Sequence, residues 1–468
     1  MKRQIIDKME AWDESADRKP LILMGARQVG KTWLMEEFAR RRYVGNTVVV
    51  NFMKSERLRL RFETTDLDPK SIIEAISIET GQKIVPGKTL LVLDEIQESP
   101  RALTALKFFN EDMPDLAVMA AGSLLGLAVN RKKRKRDANS LQLAKASFPV
   151  GKVAFLDVPP MTFEEFLLAV GEDLKCDALK KCDWKMVGLF HDSYCELLRK
   201  YYFVGGMPEA VQSFSENGDF ALVRDVHRTI LRAYDEDFAK HADGPLLAKI
   251  RLLWNSIPAQ LAKENKKFVY TALRPGARAR EYEVALQWLE DAGMIRIVRN
   301  VSTPQLPLAA YEEFGAFKLY AHDIGLVGAM AGVPPQILLD GDSLFTHFKG
   351  ALTEQYVLEE LTALGLSPNY WSPDNIKAEV EFLLQIGTMI CPLEAKAETN
   401  LRAKSLKSYI DRFNPRKALR VSMSKWSSGE RIDDYPLYAI PEAIKVLGQT
   451  RGDKGFGPIE SKQTKERQ

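Results

Sequence analysis

The stretch Gly25-Ala26-Arg27-Gln28-Val29-Gly30-Lys31-Thr32 decides the fold of this chain. It follows an apolar run at residues 21–24, which is typical of a buried strand, and it precedes a helix-like pattern of apolar and charged residues at 33–38. A glycine, four residues and then Gly-Lys-Thr, placed between a strand and a helix, predict a phosphate-binding loop. A glycine loop that joins a strand to a helix by chance is the alternative, and this spacing disfavours it.

Each fixed position of the loop has a mechanical reason. Gly25 and Gly30 let the backbone bend so that the N–H groups of residues 25–32 converge on an anion, and the helix that starts at Lys31 adds the positive end of its dipole. Lys31 would reach the β- and γ-phosphates, and the Thr32 hydroxyl would hold Mg²⁺. ATP and Mg²⁺ are therefore the predicted ligands.

A second acidic motif follows at the end of another predicted strand. Residues 46–52 and 89–95 have strand patterns and residues 72–78 a helical one, and this alternation predicts a parallel sheet covered by helices. Asp94 would hold Mg²⁺ together with Thr32, and Glu95 would orient or deprotonate the attacking water. The alternative is an acid pair that caps the next helix. A water-activating glutamate favours a hydrolysing enzyme over a small-molecule kinase.

The next apolar run, at residues 116–123, predicts one more buried strand with Ser123 at its polar end. Ser123 either senses the γ-phosphate or occupies a turn. Six consecutive cations follow, from Arg131 to Arg136, and they predict an exposed loop. Its charges could contact nucleic acid, reach the nucleotide or a neighbouring subunit, or simply be solvated.

Composition places the chain among ordinary globular proteins of several domains. Its 468 residues are 46% hydrophobic and 28% charged, with a formal net charge of only +3. A length of this order suggests about three domains, and the weak net charge means that any basic surface must be local. The predicted divisions are a phosphate-loop core at 1–160, a helical domain at 161–245, a winged-helix-like domain at 246–345, a last domain at 346–447 and a disordered tail at 448–468.

Two regions of the later domains carry charged residues of interest. In the winged-helix-like domain, Arg278 and Arg280 stand at the start of a predicted helix and are candidates for contact with DNA. In the helical domain, a long amphipathic segment at 223–238 carries acidic side chains near its end. The predicted solvent-exposed residues at this end are Asp235, Glu236, Asp237 and Lys240.

The last domain contains two probable strands, at 378–384 and 391–397, joined by a turn near Gly387. Strand alternation puts Glu379 with Glu381 on one face of the first strand and Glu394 with Lys396 on one face of the second. Such a hairpin could gather acids and a lysine for metal-dependent phosphodiester cleavage. Two polar strand edges that face solvent explain the same residues, and the longer reach of glutamate favours this explanation slightly.

Cysteine usage and hydropathy bear on the compartment. The four cysteines lack paired metal-ligand spacing, and a chain this long does not depend on so few for disulfides. The amino terminus is charged from Lys2 onward, and no later apolar run approaches the ~20 residues of a membrane-spanning helix. A cytoplasmic protein without a membrane partner is expected.

These motifs together resemble those of the prokaryotic AAA+ ATPases that carry a carboxy-terminal domain of unknown function. The resemblance rests on residues 25–32, 94–95, 122–123, 147–153, 163–166, 205–208, 318–320, 323–326 and 350–354. It implies an α/β P-loop NTPase fold of the additional-strand, AAA+ type, with ATP binding and hydrolysis by Lys31, Thr32, Asp94 and Glu95. It also implies a small α/β last domain similar to restriction-endonuclease-like folds, whose motif is Asp, a gap, then Glu-x-Lys. Glu381 stands at the aspartate position of that motif, ahead of Glu394 and Lys396.

The expected function is that of a Mg²⁺-dependent ATPase whose nucleotide cycle moves a winged-helix unit and a nuclease-like domain, with DNA as a candidate partner through the basic loop or Arg278 and Arg280. One alternative is a scaffold that binds a protein partner, or a second copy of the chain, and is switched by nucleotide. Another is a metal-dependent nuclease controlled by ATP.

Overall fold

The computed structural model describes residues 1–64, 66–122, 149, 151–263, 266–340, 346–373, 378–398 and 404–449. Three predictions concern residues outside this part of the chain: the sensor role of Ser123, the loop from Arg131 to Arg136, and nearly all of the predicted tail. The last described helix ends at Gln449.

A five-stranded parallel sheet forms the first part of the molecule. Its strands in chain order are β1 Leu21–Met24, β2 Thr47–Asn51, β3 Leu90–Asp94, β4 Ala117–Ala121 and β5 Ala154–Asp157. They lie in the spatial order β2-β3-β4-β1-β5 and pair in parallel throughout. Strands β3 and β4 are buried at every residue, as expected when helices cover both faces of a sheet. The predicted α/β fold of the P-loop type, with an additional strand between β1 and β3, is confirmed.

Among the described residues, five helices accompany this sheet: α1 Ile5–Asp13, α2 Lys31–Arg42, α3 Glu56–Thr64, α4 Pro69–Thr80 and α5 Pro100–Asp112. Helix α4 is longer than the predicted segment at 72–78 because Asp68 caps its start, where its side chain accepts a hydrogen bond from Ser71 N, and Gly81 ends it in the left-handed conformation. Helix α3 and strand β5 were not predicted from the sequence. Strand β5 has only four residues, none fully buried, at the edge of the sheet.

A helical region follows the sheet. Its members are α6 Phe163–Ala169, α7 Asp173–Lys180, α8 Trp184–Leu189, α9 His191–Val204, α10 Pro208–Asn217, α11 Phe220–His241 and α12 Gly244–Leu261. Thr162 and Glu165 form the capping box that starts α6. The chain turns between α9 and α10 at Gly205 and Gly206. A Cβ atom at Gly206 would lie 2.2 Å from the carbonyl oxygen of Met161, so this close backbone contact requires glycine.

A mixed eight-stranded sheet completes the molecule. Its strands are β6 Ile295–Asn300, β7 Glu313–Ala321, β8 Asn369–Trp371, β9 Val380–Ile386, β10 Met389–Ala395, β11 Ala418–Ser422, β12 Ser427–Ser428 and β13 Ile432–Pro436, in the order β12-β13-β11-β10-β9-β8-β6-β7. Its helices are α13 Ala279–Asp291, α14 Ile324–Met330, α15 Pro335–Asp340, α16 Thr346–Ala363, α17 Lys404–Phe413 and α18 Ile440–Gln449. The predicted hairpin around Gly387 is present as the antiparallel pair β9 and β10.

One sheet therefore takes strands from both sides of the predicted boundary between residues 345 and 346. Strand β6 joins β8 through the pair Asn300 and Tyr370, and a single hydrophobic cluster reaches from Ile5 to Leu447. Contacts between early and late segments of the chain thus position the candidate sites. The winged-helix character of residues 246–345 and the domain limits themselves stay predictions.

Among the helices that the structure describes, none combines the length and the apolar composition needed to cross a membrane.

Candidate nucleotide-binding site

The predicted phosphate loop joins strand β1 to helix α2 with an unusual backbone. Gly25, Gln28 and Gly30 have positive φ angles of +141°, +66° and +91°. A Cβ atom at Gly25 would lie 2.5 Å from the carbonyl oxygen of Val158, so a larger residue would push the loop away from the strand that supports it. Helix α2 begins at Lys31, directly after the loop. The loop is thus placed at a helix amino terminus, where backbone N–H groups and the helix dipole attract anions.

Lys31 is buried inside the loop. Its Nζ donates hydrogen bonds to the carbonyl oxygens of Gly25, at 2.8 Å, and Ala26, at 2.7 Å. Burial lowers the pKa of Lys31 to about 8, although the nearby carboxylates of Glu95 and Asp94 act in the opposite direction. The ammonium group is therefore preorganised at the centre of the loop, where a phosphate would stabilise its charge.

Thr32 and Asp94 meet across the site, as the sequence predicts. The Thr32 hydroxyl donates to Asp94 Oδ2 at 3.3 Å, and the Asn51 side-chain amide donates to the same oxygen at 3.2 Å. Burial is the main reason why the pKa of Asp94 is raised, and the negative charge of Glu95 raises it further. Gln28 and Thr32 are exposed, so a ligand can approach the loop from this side.

A hydroxyl and a carboxylate are hard oxygen donors, which fit Mg²⁺. Within the described ranges, no group of three or more His, Cys, Asp or Glu side chains is arranged to hold a metal ion. Such an arrangement is not needed here, because Mg²⁺ keeps several waters and is commonly held by one or two protein oxygens together with substrate phosphates. The donor set of Thr32 and Asp94 therefore fits the predicted ion.

Glu95 lies one residue beyond strand β3 in the left-handed conformation, with φ +52°. Its Oε2 accepts a hydrogen bond from the Gln97 side-chain amide at 2.5 Å. A non-glycine residue in this conformation costs about 1–3 kcal/mol and is found mainly where function maintains it. The bend turns the chain at the carboxyl end of the sheet, next to Asp94.

Asn51 and Gln97 contact the paired acids but were not predicted as site residues. Asn51 is the direct neighbour of Asp94 in the pairing of β2 with β3, so its position at the end of a predicted strand was a usable signal. Gln97 follows Glu95 by two residues and carried no such signal.

Helix α11 of the helical region contacts the phosphate loop, and the predicted exposure of one of its residues is wrong. Asp237, expected to be solvent-exposed, has a side chain only 10% exposed and forms an ion pair with Arg27. The Tyr234 hydroxyl donates to the carbonyl oxygen of Arg27 at 2.8 Å. Asp237 lies on the same buried stripe of α11 as Tyr234 and Ile230, and this stripe faces the loop. The neighbouring Asp235, Glu236 and Lys240 are at least half exposed, as predicted.

Other distant segments support the loop from behind. The Arg3 guanidinium donates to the carbonyl oxygen of Val29 at 3.1 Å and pairs with Glu165 at 3.0 Å. A Cβ atom at Gly293 would lie 3.2 Å from Ala26 N, so the turn after α13 packs directly on the loop. Arg3 and Val29 are 26 positions apart, and the other two contacts join residues more than a hundred positions apart, so no local pattern could have indicated them.

His322 directly follows β7; its Nε2 lies 3.1 Å from the Tyr234 hydroxyl oxygen, and its Nδ1 lies 3.1 Å from the carbonyl oxygen of Met294. Burial lowers the pKa of His322 to about 4, so the ring is neutral at physiological pH. A chain of contacts therefore runs from the phosphate loop through α11 to the second sheet.

The second predicted site is also brought together. Lys396 Nζ lies 2.6 Å from Glu394 Oε1 and 3.6 Å from Glu381 Oε1. Among the described residues, neither Glu381 Oε2 nor Glu394 Oε2 has a hydrogen-bond partner, although both atoms are buried. Burial raises the pKa of Glu381 to about 7, against the charge of Lys396.

A buried ion-pair network lies next to these residues and was not foreseen. Lys318 Nζ lies 2.5 Å from Glu379 and 3.4 Å from Glu354, and the Tyr320 hydroxyl donates to Glu354 at 3.0 Å. Burial opposes the ionisation of Glu354, but Lys266 and Lys318 outweigh it and lower the pKa of Glu354 to about 2.

The candidate DNA contacts Arg278 and Arg280 are exposed at the start of α13.

Comparison with known families agrees with the geometry of the first site. Residues 17–167 match a family model described as an AAA domain. Residues 195–337 and 349–440 match two domains of unknown function, DUF8612 and DUF4143. The AAA-domain match includes the phosphate loop and the strand that ends at Asp94. The segment that matches the AAA domain therefore has the P-loop α/β fold and includes the phosphate loop.

Solved structures with similarity to the chain include three archaeal proteins. The Walker-type ATPase PABY2304 of Pyrococcus abyssi is 14% identical, with 70% of this chain and 95% of that chain covered and a TM-score of 0.42. The Aeropyrum pernix ORC1 protein in complex with DNA is 12% identical, with 71% and 91% covered and a TM-score of 0.26. Cdc6p from Pyrobaculum aerophilum is 12% identical, with 72% and 93% covered and a TM-score of 0.24. No curated protein matches the chain.

Proposed function

We propose that this protein binds ATP with Mg²⁺ and hydrolyses it at the site formed by the phosphate loop and the end of strand β3. The observation that carries the proposal is the contact between Thr32 and Asp94 beside the buried ammonium group of Lys31. A hydroxyl, a carboxylate and a lysine in this arrangement match what a triphosphate and its metal ion require.

Each residue has a distinct role in this proposal. The backbone N–H groups of residues 25–32 and the Lys31 ammonium bind the phosphates, and Thr32 and Asp94 hold the metal ion. When bound, Mg²⁺ neutralises negative charge on the phosphates. Glu95 orients the attacking water and accepts its proton. None of these residues supplies an arginine finger, so turnover by the isolated protein should be slow.

Replacing Lys31 with Ala tests nucleotide binding directly. The variant should bind Mg²⁺·ATP about 10- to 100-fold more weakly, because hydrogen bonds from a charged group contribute about 1.5–3 kcal/mol each. Titration calorimetry with Mg²⁺·ATP measures this change. Lys8→Ala, an exposed lysine on α1, is the control and should bind as the native chain does. Equal affinity of the Lys31→Ala and native proteins would remove the basis of the proposal.

The proposal also includes a motion of the winged-helix-like and nuclease-like regions that is coupled to ATP binding and hydrolysis. The turn at Gly293 and helix α11 both contact the phosphate loop, and both are continuous with the segments that lead into the second sheet. A nucleotide that shifts the loop would therefore act on the winged-helix-like and nuclease-like regions. DNA as the partner, through Arg278 and Arg280, is part of the same proposal, and strong salt dependence of binding would support it. A protein-binding scaffold is favoured instead if no nucleic acid binds at any salt concentration.

A second candidate function, a nuclease controlled by ATP, is favoured by the two unpartnered oxygens of Glu381 and Glu394. Buried carboxylate oxygens without hydrogen bonds are costly unless a cation satisfies them. The same atoms lie beside Lys396, which is a common companion of carboxylates in phosphodiester cleavage.

This second candidate predicts Mg²⁺-dependent nicking of supercoiled DNA that is lost in Glu394→Gln, whereas Lys31→Ala should still nick but should lose the response of nicking to ATP. Agarose gels of plasmid incubated with each purified variant measure the effect. Glu430→Gln, a change at an exposed glutamate of the same domain, should nick as the native chain does. Nicking that persists in Glu394→Gln would assign the activity to another protein or another site.

A further inference from the structure

The last two turns of helix α11 extend along the nucleotide site and contact both of its halves. On one side, Asp237 pairs with Arg27 and the Tyr234 hydroxyl donates to the Arg27 carbonyl oxygen. On the other side, Lys240 Nζ lies 4.0 Å from Glu98, in the short helix that follows Glu95. We call Tyr234, Asp237 and Lys240 the α11 clamp.

The central pair of this clamp involves a residue of the phosphate loop itself. Arg27 lies four residues before Lys31, its side chain is 31% exposed, and its charge acts on the Lys31 ammonium group. The Asp237 carboxylate is more deeply buried than the Arg27 side chain, and the Arg27 guanidinium is the nearby cation that compensates its negative charge. Arg27 therefore lies between the buried carboxylate of Asp237 and the space above the loop, where a phosphate would bind. A positive charge stabilises both the carboxylate and a bound phosphate.

A guanidinium group forms strong bonds with either a carboxylate or a phosphate, and the two partners compete when one cation must serve both. A triphosphate above the loop carries more negative charge than a single carboxylate. The Arg27 side chain is 31% exposed, so such a ligand can reach it. Binding of the nucleotide thus weakens the pair that holds α11 to the loop.

We propose that Arg27 is a phosphate-positioning residue for which Asp237 and ATP compete, so that α11 is the helix that responds to the nucleotide. This inference rests on the proposed function, since it needs ATP at the loop. It assigns roles to two residues outside the lysine, threonine and paired acids.

The response has a path to the rest of the molecule. Helix α11 runs without interruption from Phe220 to His241. Its Asp235 accepts two hydrogen bonds from Arg251 of α12, at 2.6 and 2.7 Å, and its Tyr234 contacts His322 directly after β7. A change at Asp237 is therefore transmitted to α12 and to the second sheet, because these elements are held to the same helix end.

A double-mutant cycle on Arg27 and Asp237 tests this inference. Mg²⁺·ATP affinity is measured by calorimetry for the native protein, Asp237→Asn, Arg27→Gln and the double variant. Asp237→Asn should bind ATP about 3- to 10-fold more tightly, because the amide keeps the shape but no longer competes for the cation, whereas Arg27→Gln should bind more weakly. The double variant should equal Arg27→Gln alone. Asp225→Asn, which removes an exposed acid from the same helix, is the control and should leave the affinity unchanged.

Hydrogen exchange of residues 234–241 gives a second readout. ATP should increase exchange there in the native protein and have no such effect in Arg27→Gln, and Asp237→Asn should show the increase without nucleotide. Unchanged or weaker ATP binding by Asp237→Asn, or an equal effect of that change with and without Arg27, overturns the clamp while the ATPase proposal stands. If the native protein binds no Mg²⁺·ATP, both proposals fall together.

Discussion

Replacing Glu95 with Gln should reduce ATP turnover by about 100-fold or more while leaving the affinity for Mg²⁺·ATP close to that of the native protein. Glutamine has the same shape and can still hydrogen-bond to Gln97, but it cannot accept the proton of the attacking water. General-base catalysis typically contributes 10²–10⁴-fold, which sets the size of the expected loss. Steady-state phosphate release measures turnover, and calorimetry measures binding on the same samples.

The contrast between turnover and binding makes this experiment decisive. A residue that only supports the fold would lower both quantities, whereas a group that acts only in the transition state lowers turnover alone. Glu36→Gln is the matched control because Glu36 is an exposed acid on α2, and it should behave as the native chain does. Turnover that is unchanged in Glu95→Gln would show that another group positions the water.

The same measurement with and without DNA separates the proposed functions. Stimulation of the native protein by DNA that disappears at high salt would support a DNA-linked motor, since phosphate contacts weaken steeply as salt rises. A turnover that responds to no nucleic acid would favour the scaffold switched by nucleotide. The outcome for Glu95→Gln is independent of this choice.

The features predicted correctly from sequence are those encoded by neighbouring residues. The phosphate loop has glycines at two of its three positions where φ is positive, and the apolar run before Asp94 is a strand buried at every residue. Such signals depend on backbone sterics and on burial of short segments, so they are readable without any tertiary information. The capping box at Thr162 is of the same kind.

The features that escaped prediction depend on contacts between distant segments. Asp237 resembles its solvated neighbours Asp235 and Glu236 in the sequence, and only the packing of α11 on the loop distinguishes it. Charged residues are usually exposed, so a local pattern assigns a buried one to the surface unless its partner is known. Arg27 and Asp237 are 210 positions apart.

The junction between the two predicted C-terminal units shows the same difficulty. Helix α13 and the hairpin of β6 and β7 have the local pattern of a winged helix, yet both strands belong to the eight-stranded sheet. Strand β6 uses its free edge to pair with β8, which is only three residues long. Strand order within a sheet is a property of the whole chain, and no window of sequence contains it.

Lys318 connects these two units electrostatically, and replacing it with Met should destabilise the protein by about 3–5 kcal/mol. Its side chain is completely buried, with Glu354 of α16 and Glu379 of the segment before β9 as its partners. Removing the cation leaves Glu379 without its buried partner and takes one of the two lysines within ion-pair distance away from Glu354, as far as the described residues show. Urea unfolding, followed by tryptophan fluorescence, measures the loss.

The cause of that loss can be isolated. Lys200→Met removes a lysine that pairs with Glu196 at 2.7 Å on the surface of α9, and this control should cost less than about 1 kcal/mol because exposed pairs contribute little. Adding Glu354→Gln and Glu379→Gln to Lys318→Met should restore part of the lost stability, since the penalty comes from carboxylates left buried without a counter-charge. If Lys318→Met is no more harmful than Lys200→Met, or if the added changes lower stability further, the network does not hold the two units together by charge. Packing of the aliphatic stem of Lys318 against Tyr370, over whose ring the ammonium lies at 5.0 Å, would then be the dominant contribution.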